Sequence, residues 1–343
     1  MFIVLALGSL MQTTSGSGLH VVSREFVYET APFPSAHAST IVSTPDGLVA
    51  AWFGGTAERN PDVGIWVSRK GEGGWSAPVE VANGRQPDGT RYPTWNPVLA
   101  QPAGSPLVLF YKVGPSPSEW WGMALASDDN GRTWKGPIAL PDGILGPIRA
   151  KPVVLDDGAL LAGSSTENDG WVVHMERLTR PPSGTDAAGW LQWLASAQSW
   201  TKTGPLNDPN EFGAIQPTIL RHSPTRLQIL CRTRQKVIAT AWSDDGGKTW
   251  GPMRGTTLPN PSAGIDTVKL PDGRFVLVYN PSSSDRHVLA ISESRDGIAW
   301  SAPMTIEEGP GEYSYPAMVI ARDGTVHLTY TWRRGRIRHV ELR

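Results

Sequence analysis

A few side chains have the types and spacing to act together on an anionic ligand. The planar guanidinium groups of Arg232 and Arg286 match a carboxylate bidentately, so a sugar acid is a suitable ligand for the pair. Tyr315 could act as a nucleophile or base if its proton is drawn off, and Asp62 could donate a proton if burial raised its pKa. His37 could bind a carboxylate as imidazolium, or exchange a proton near neutral pH.

Each of these side chains also has a structural interpretation. Surface arginines form weak ion pairs, a core tyrosine or histidine bonds through its polar atoms, and an aspartate after Pro61 suits an Asx-turn. The sequence contains no HExxH, P-loop or dinucleotide-binding motif. It therefore implies no metal and no cofactor.

Composition favours a globular protein made of many short strands. Of 343 residues, 39% are hydrophobic and 18% charged, and 37 Gly, 30 Pro and 15 Trp supply turns and large apolar wedges. The net charge is -1 and no run of Lys or Arg occurs, so nucleic acid and anionic membrane are poor partners. The single cysteine, Cys231, excludes an intramolecular disulfide and is expected to be a core thiol.

The N-terminus carries a weak export signal. Residues 1–11 are apolar and too few to span a bilayer, and a small polar stretch follows to residue 18. We interpret residues 1–18 as a possible signal peptide, which would make the protein secreted or periplasmic. No Lys or Arg precedes the apolar run, so a mis-assigned start codon and a cytoplasmic protein are the alternative. Residues 19–343 are predicted to form one domain.

A turn followed by an apolar, β-rich run recurs six times along the chain. The copies begin at Pro45, Ser105, Asp156, Ser223, Pro271 and Arg322. Six units that cannot each bury both faces predict radial packing into a propeller, with a two-sheet sandwich as the alternative. We expect the first strand, near 21–28, and the last, near 337–342, to complete one blade together.

A second pattern, S-x-D-x-G-x-T-W, occurs at another phase of the repeat. Complete copies span 127–134 and 243–250, degenerate copies span 68–75 and 294–300, and a decayed copy is expected near Trp190 or Trp193. The Asp side chain can cap backbone N–H groups, Gly takes a positive φ, and Trp packs between sheets. The pattern therefore predicts a structural clasp.

This element is the Asp-box, and its repetition in this rhythm resembles the sialidase superfamily, in particular its BNR-repeat members. The resemblance covers nearly the whole chain and implies an all-β, six-bladed β-propeller with four-stranded antiparallel blades. Asp-boxes also occur in non-catalytic propellers, so they identify the fold better than the function.

Sialidases bind the sugar carboxylate with three arginines, and they use a tyrosine nucleophile activated by a glutamate and an aspartate acid. The resemblance places Arg232 and Arg286 at the second and third arginines, Tyr315 at the nucleophile and Asp62 at the acid. It also identifies two departures, because His37 stands at the first arginine and Gln216 at the glutamate.

Gln216 cannot take a proton, so it can orient a ligand but cannot activate Tyr315. Three other carboxylates could substitute, namely Glu167, Glu211 and Glu312. Four tryptophans could stack on sugar faces or fill the core instead: Trp52, Trp95, Trp120 and Trp121.

Three functions fit these residues. The first is a sialidase-like exo-glycosidase that releases a terminal acidic sugar through a covalent Tyr315 intermediate. The second is a lyase that eliminates across a uronate with Tyr315 or His37 as base, and the departures at His37 and Gln216 fit it better. The third is a propeller that binds glycans without turnover. For all three we expect an acidic oligosaccharide or glycoconjugate as partner and a monomeric protein.

Overall fold

The computed structural model describes residues 18–343. All but the last residue of the predicted signal peptide 1–18 lies outside the described residues. Within 18–343 the chain forms 25 strands, one α-helix and one short 3-10 helix at Ala197–Ser199. No helix in this range is long and apolar enough to cross a bilayer.

The strands form six antiparallel sheets, which are the blades of a propeller. The first strand, β1 (Val21–Phe26), belongs to the last blade. Blade 1 contains β2 (Ser35–Thr44), β3 (Gly47–Gly55), β4 (Gly64–Gly71), and the short β5 (Gly74–Trp75) and β6 (Val79–Ala82), which both pair with β4. Blade 2 contains β7 (Thr94–Ala100), β8 (Leu107–Val113), β9 (Trp121–Ser127) and β10 (Lys135–Ala139).

The next three blades follow the same order. Blade 3 contains β11 (Val153–Val154), β12 (Leu160–Thr166), β13 (Val172–Leu178) and β14 (Trp200–Lys202). Blade 4 contains β15 (Ala214–Arg221), β16 (Leu227–Thr233), β17 (Val237–Ser243) and β18 (Arg254–Pro259). Blade 5 contains β19 (Asp266–Lys269), β20 (Phe275–Tyr279), β21 (Val288–Ser294) and β22 (Met304–Glu308).

Blade 6 closes the ring with both ends of the chain. It contains β23 (Tyr313–Ile320), β24 (Val326–Trp332) and β25 (Arg336–Leu342), and β1 pairs with β25 as its outer strand. Glu25 of β1 accepts a hydrogen bond from His339 Nδ1 of β25 at 2.8 Å. Pairing the first strand with the last is the closure predicted from sequence.

The first strands of the blades face one another around the centre of the ring. Strand β2 contacts β7 and β23, and β19 contacts β15 and β23. The six predicted turns all join first and second strands, so they lie at one end, called here the turn end. The opposite end, called the loop end, carries the starts of the first strands and the loops between second and third strands.

The Asp-boxes join third and fourth strands at the turn end. Asp129 accepts from Ser127 Oγ at 2.7 Å and from Thr133 N at 2.8 Å, while Gly131 N donates to Ser127 Oγ at 2.8 Å. The copies that begin at Ser243 and Ser294 repeat the bond between Ser and Asp. These bonds make the structural clasp that the pattern predicted.

Blade 3 has a helix where blades 1, 2, 4 and 5 have an Asp-box or its remnant. The helix α1 (Ala187–Ala195) begins after Asp186, whose side chain accepts from Gly189 N at 2.9 Å as a cap. Trp190 on this helix is buried in the core beside blade 2. The decayed copy expected near Trp190 is therefore replaced by a different element that fills the same place.

Candidate active site at the loop end

The side chains predicted to act on a ligand all lie at the loop end. Because strands alternate in direction, the start of a first strand, the end of a second strand and the loop after it meet at the same end of every blade. The residues in question are His37 at the start of β2, Asp62 after β3, Gln216 at the start of β15, Arg232 in β16, Arg286 after β20 and Tyr315 at the start of β23.

Backbone bulges present two of these side chains. The register of β15 shifts between Ile215 and Thr218, and that of β23 shifts between Ser314 and Ala317. Within the bulges Gln216 has φ +58° and Tyr315 φ +50°. A bulge redirects the side chain that it carries, and non-glycine residues keep this strained conformation mainly at functional sites.

Three guanidinium groups surround the ring of Tyr315. Arg149 lies 5.5 Å from the ring centroid, and Arg232 and Arg286 each lie 5.6 Å from it. Arg232 Nη1 also donates to Tyr315 Oη. Tyr315 is 9% exposed. The cluster therefore combines a largely buried phenol with three guanidinium groups, whose positive charge can attract an anionic ligand.

A shared carboxylate fixes two arginines. Glu312 accepts from Arg286 Nη1 at 2.8 Å and from Arg334 Nε at 2.9 Å. Burial alone would raise the pKa of Glu312, but Arg334, the Ser314 hydroxyl and Arg286 outweigh it, so the pKa is lowered. Glu312 is thus an ionised positioning group and not a proton donor at neutral pH.

Arg149 is a third arginine that the sequence analysis did not find. It is 1% exposed, donates to the carbonyl of Pro316, and has no hydrogen-bond partner at Nε or Nη1 within residues 18–343. Burial lowers its pKa to about 10. Sequence reasoning sought a third arginine only at the place of His37, and nothing local in the segment before β11 marks Arg149 as a site residue.

His37 lies behind Tyr315. The two ring centroids are 4.1 Å apart, and His37 Nδ1 shares a hydrogen bond of 3.0 Å with Thr331 Oγ1. Burial first, and then the charges of Arg334, Arg286 and other arginines, lower the pKa of His37 well below its usual value. A neutral imidazole that is only 2% exposed does not attract a carboxylate by charge. His37 therefore does not supply the positive charge of the arginine that the resemblance expects at this position.

Gln216 and Asp62 make different contacts. Gln216 Oε1 accepts from Arg232 Nη1 at 3.4 Å, which places its amide inside the cluster. Asp62 is exposed and accepts from Thr56 N at 2.9 Å and Thr56 Oγ1 at 2.6 Å. Burial raises the pKa of Asp62, but the bonds from Thr56 outweigh this and lower it. The structure thus joins Gln216 to the arginines and leaves Asp62 on the rim.

Glu167 is the candidate carboxyl with the opposite shift. Burial raises its pKa, against the lowering effects of Arg232 and of a hydrogen bond from Trp171. Trp171, which sequence reasoning missed, is stacked by Arg232 and Arg234 at 4.9 and 4.7 Å from the ring. A carboxyl that holds its proton to higher pH beside an arginine is suited to acid catalysis.

The four tryptophans weighed for sugar stacking serve the core instead. Trp52, Trp95 and Trp120 are 0%, 2% and 8% exposed. Trp121 is partly buried and packs edge-on against Tyr92 at 5.7 Å.

The fold and the arginine-lined cluster define a sialidase-like six-bladed propeller. The chain belongs to the BNR repeat-like domain family, whose model matches residues 46–328. No curated protein matches the sequence.

Among solved structures, one of a protein of unknown function from Dyadobacter fermentans is similar, with a TM-score of 0.73 and 16% identity over 95% of this chain and 99% of that one. The Hadza microbial sialidase Hz136 has a TM-score of 0.70 and 17% identity over 90% of this chain, which spans 65% of that protein. Trypanosoma rangeli sialidase has a TM-score of 0.65 and 16% identity over 94% of this chain and 59% of its own. At these identities the likeness is one of fold.

Proposed function

We propose that this protein is a carbohydrate-active enzyme that binds the carboxylate of an acidic sugar between Arg232 and Arg286, next to Tyr315. The observation that carries the proposal is the set of three guanidinium groups around one phenol, with Arg232 donating to Tyr315 Oη. Two guanidinium forks can bind a carboxylate through paired hydrogen bonds, and Tyr315 is then the polar group beside the bound sugar.

The reaction that the geometry supports best is β-elimination from a uronate. Arginines that neutralise the carboxylate make the neighbouring C–H more acidic, and a base removes that proton. The electron pair moves into the carboxylate-stabilised carbanion and then forms a C=C bond as the glycosidic C–O bond breaks. The departing oxygen takes a proton, for which Glu167 is the candidate donor because burial raises its pKa.

Tyr315 is the candidate base in this reaction. It is the less buried member of the Tyr315–His37 pair, and a guanidinium that donates to a phenol oxygen stabilises negative charge there. Gln216 occupies the place at which the resemblance expects a glutamate, so the group that activates the tyrosine of a hydrolase is missing.

Hydrolysis of a terminal sialic acid is the second candidate. It is favoured by the contact of Arg232 and Arg286 with Tyr315, three of the four positions that the resemblance carried over unchanged. In that reaction Tyr315 is the nucleophile and Asp62 the acid, although the Thr56 bonds lower the pKa of Asp62 and so work against proton donation.

Product analysis separates the candidates. Purified protein is incubated with oligosaccharides that contain a glucuronate glycosylated at O4, the oxygen that leaves in the elimination, and with a fluorogenic sialoside. We expect ultraviolet-absorbing unsaturated products from the first panel, at least about 100-fold less of them with Tyr315→Phe, and no free sialic acid from the second. The matched control is Tyr111→Phe, which removes a buried hydroxyl without a hydrogen-bond partner and should leave product formation unchanged.

Release of sialic acid that depends on Tyr315 would replace elimination by hydrolysis. Binding of either sugar without any product would make the protein a lectin. If neither panel binds, the proposal that the site takes an acidic sugar is wrong.

A further inference from the structure

Three side chains with metal-binding atoms share one face of blade 6 near the turn end. His327 of β24 pairs directly with Glu341 of β25, and His339 lies two residues before Glu341 on the same strand. Because side chains alternate along a strand, all three point to the same side of the sheet. One potential ligand atom from each residue lies within 4.8 Å of the other two. Strand pairing thus brings two imidazoles and a carboxylate together.

The distance between the two imidazoles is close to that of histidines on one metal ion. His327 Nδ1 lies 3.0 Å from His339 Nε2. Since zinc–nitrogen bonds are about 2.0–2.1 Å long, two nitrogens on a tetrahedral zinc are about 3.3 Å apart. Glu341 is partly exposed, so a rotation of its side chain can bring a carboxylate oxygen to the same point. Small side-chain movements therefore suffice to bind an ion here.

The contacts behind His339 fix its ring for metal binding. Glu25 accepts a hydrogen bond from His339 Nδ1 at 2.8 Å, which places the proton on Nδ1 and leaves the lone pair of Nε2 directed toward His327. A carboxylate behind the ring is the usual outer partner of a metal-binding histidine. Trp75 of blade 1 packs edge-on against His339 at 5.4 Å and donates to Glu25 at 3.1 Å. Both the tautomer and the orientation of His339 are thus set.

The charges around the cluster leave room for a cation. Lys70 of blade 1 is the neighbouring positive group, with its Nζ 2.6 Å from Glu25 and 3.0 Å from Glu341 Oε1. Two carboxylates face this one ammonium, so one negative charge remains. An ionised carboxylate has a second oxygen and several lone pairs, so Glu341 can keep its bond to Lys70 and still bind a metal ion.

We propose that His327, His339 and Glu341 form a Zn²⁺ site that stabilises the closure of the ring. Two imidazoles and a carboxylate suit zinc and leave its fourth position to water. The ion connects β24 to β25, and Glu25 extends the site to β1, so it joins the strands that both ends of the chain bring to blade 6. No metal motif marks these residues in the sequence, because strand pairing and not local spacing brings them together. The site is independent of the proposed function.

Calorimetric titration with Zn²⁺ tests the proposal on chelator-treated protein purified without a polyhistidine tag. The wild type should bind a single Zn²⁺ per chain at this site. His327→Gln and Glu341→Gln should each weaken that binding at least about tenfold, because each removes one of the three ligands. Zn²⁺ should also raise the Tm of the wild type by a few degrees and leave the Tm of both variants nearly unchanged, since only an ion that binds the folded state stabilises it.

The control is His287→Gln. His287 is exposed and lies 3.6 Å from Asp285, a surface pair that could bind Zn²⁺ weakly, and its loss should leave the affinity of the wild type unchanged. Urea unfolding in chelator shows whether each variant is folded, and Glu341→Gln, at a partly exposed position, keeps the test valid if His327→Gln folds poorly. If the wild type binds no Zn²⁺, or binds it no more tightly than both ligand variants do, the site is overturned.

Discussion

The two ends of the propeller use the same unusual backbone conformation in different ways. Ten non-glycine residues in 18–343 have a positive φ, and nine of them lie at the loop end, Asn130 being the exception. At the turn end glycines such as Gly131 and Gly247 take this conformation, which for them has little steric cost. At the loop end, by contrast, non-glycine side chains are kept in this strained conformation, four of them in the bulges of first strands and five in loops.

The two ends also differ in whether their polar groups have hydrogen-bond partners within the chain. In the Asp-box of blade 4, Asp245 accepts from Ser243 Oγ, Lys248 N, and both the amide and the hydroxyl of Thr249, at 2.6 to 3.1 Å. At the loop end, by contrast, Arg149 and His37 have buried nitrogens without partners in residues 18–343. The Asp-box carboxylate is satisfied within the chain, while these buried arginine and histidine nitrogens at the loop end are not. Stability and function should therefore be separable by mutation.

The largest effect on stability is expected from breaking an Asp-box. Asp245→Ala removes a carboxylate that accepts from four groups, and it should lower the free energy of unfolding by about 2 kcal/mol in urea titrations. Product formation by the folded fraction should not change, because the clasp lies at the opposite end from the site.

The neighbouring Asp244→Ala is the matched control. Asp244 is exposed and pairs with Arg226 at 2.5 Å, so its loss should cost less than about 1 kcal/mol. Equal destabilisation by the two variants, or loss of product formation by fully folded Asp245→Ala, would contradict the separation of the two ends.

A smaller loss of stability is expected at low pH from blade 6, whose strands close the ring. His327 Nδ1 lies 3.0 Å from His339 Nε2, and burial, followed by the charge of His339, lowers the pKa of His327 from 6.5 to about 4. In this pH range the His327 imidazole binds a proton in the unfolded chain but not in the folded one. Stability is therefore lost as the pH falls from about 6.5 toward 4. Comparing urea unfolding at both limits, the wild type should lose on the order of 2 kcal/mol more than His327→Gln.

His37 shifts in the same direction, but it is present in both proteins and cancels in the comparison. His287→Gln is the control, because His287 is exposed and its substitution should leave the acid dependence of the wild type intact. If the wild type and His327→Gln lose the same stability between the two limits, protonation of His327 does not affect the closure.

The turn end could be predicted well from the sequence, because the residues that form each of its turns and Asp-boxes lie close together in the chain. Within a few residues each complete Asp-box contains the serine, aspartate, glycine and tryptophan of the clasp, and six turns in one rhythm predict six blades. The pairing of β1 with β25 followed from the same count. The helix α1 was not predicted, because the tryptophans that suggested a decayed box are also those that anchor the helix.

The loop end could be predicted only in part. Arg232, Arg286 and Tyr315 were identified through the resemblance, and the structure brings them together. No motif in the sequence around Arg149 or Trp171 marks either as a site residue. They come close to Tyr315 and Arg232 only because the blades fold into a ring.

The most direct test of the central claim compares an acidic sugar with its carboxyl-reduced analogue. Calorimetry with a glucuronate-terminated oligosaccharide should detect binding that falls at least about 100-fold when the carboxyl group is reduced to an alcohol. In Arg232→Lys, which keeps the charge and loses the planar fork, the acidic sugar should also bind more weakly, whereas Arg226→Lys at the turn end should not differ from the wild type. Equal affinity for the acid and the alcohol would show that the arginine cluster at the loop end does not recognise a carboxylate.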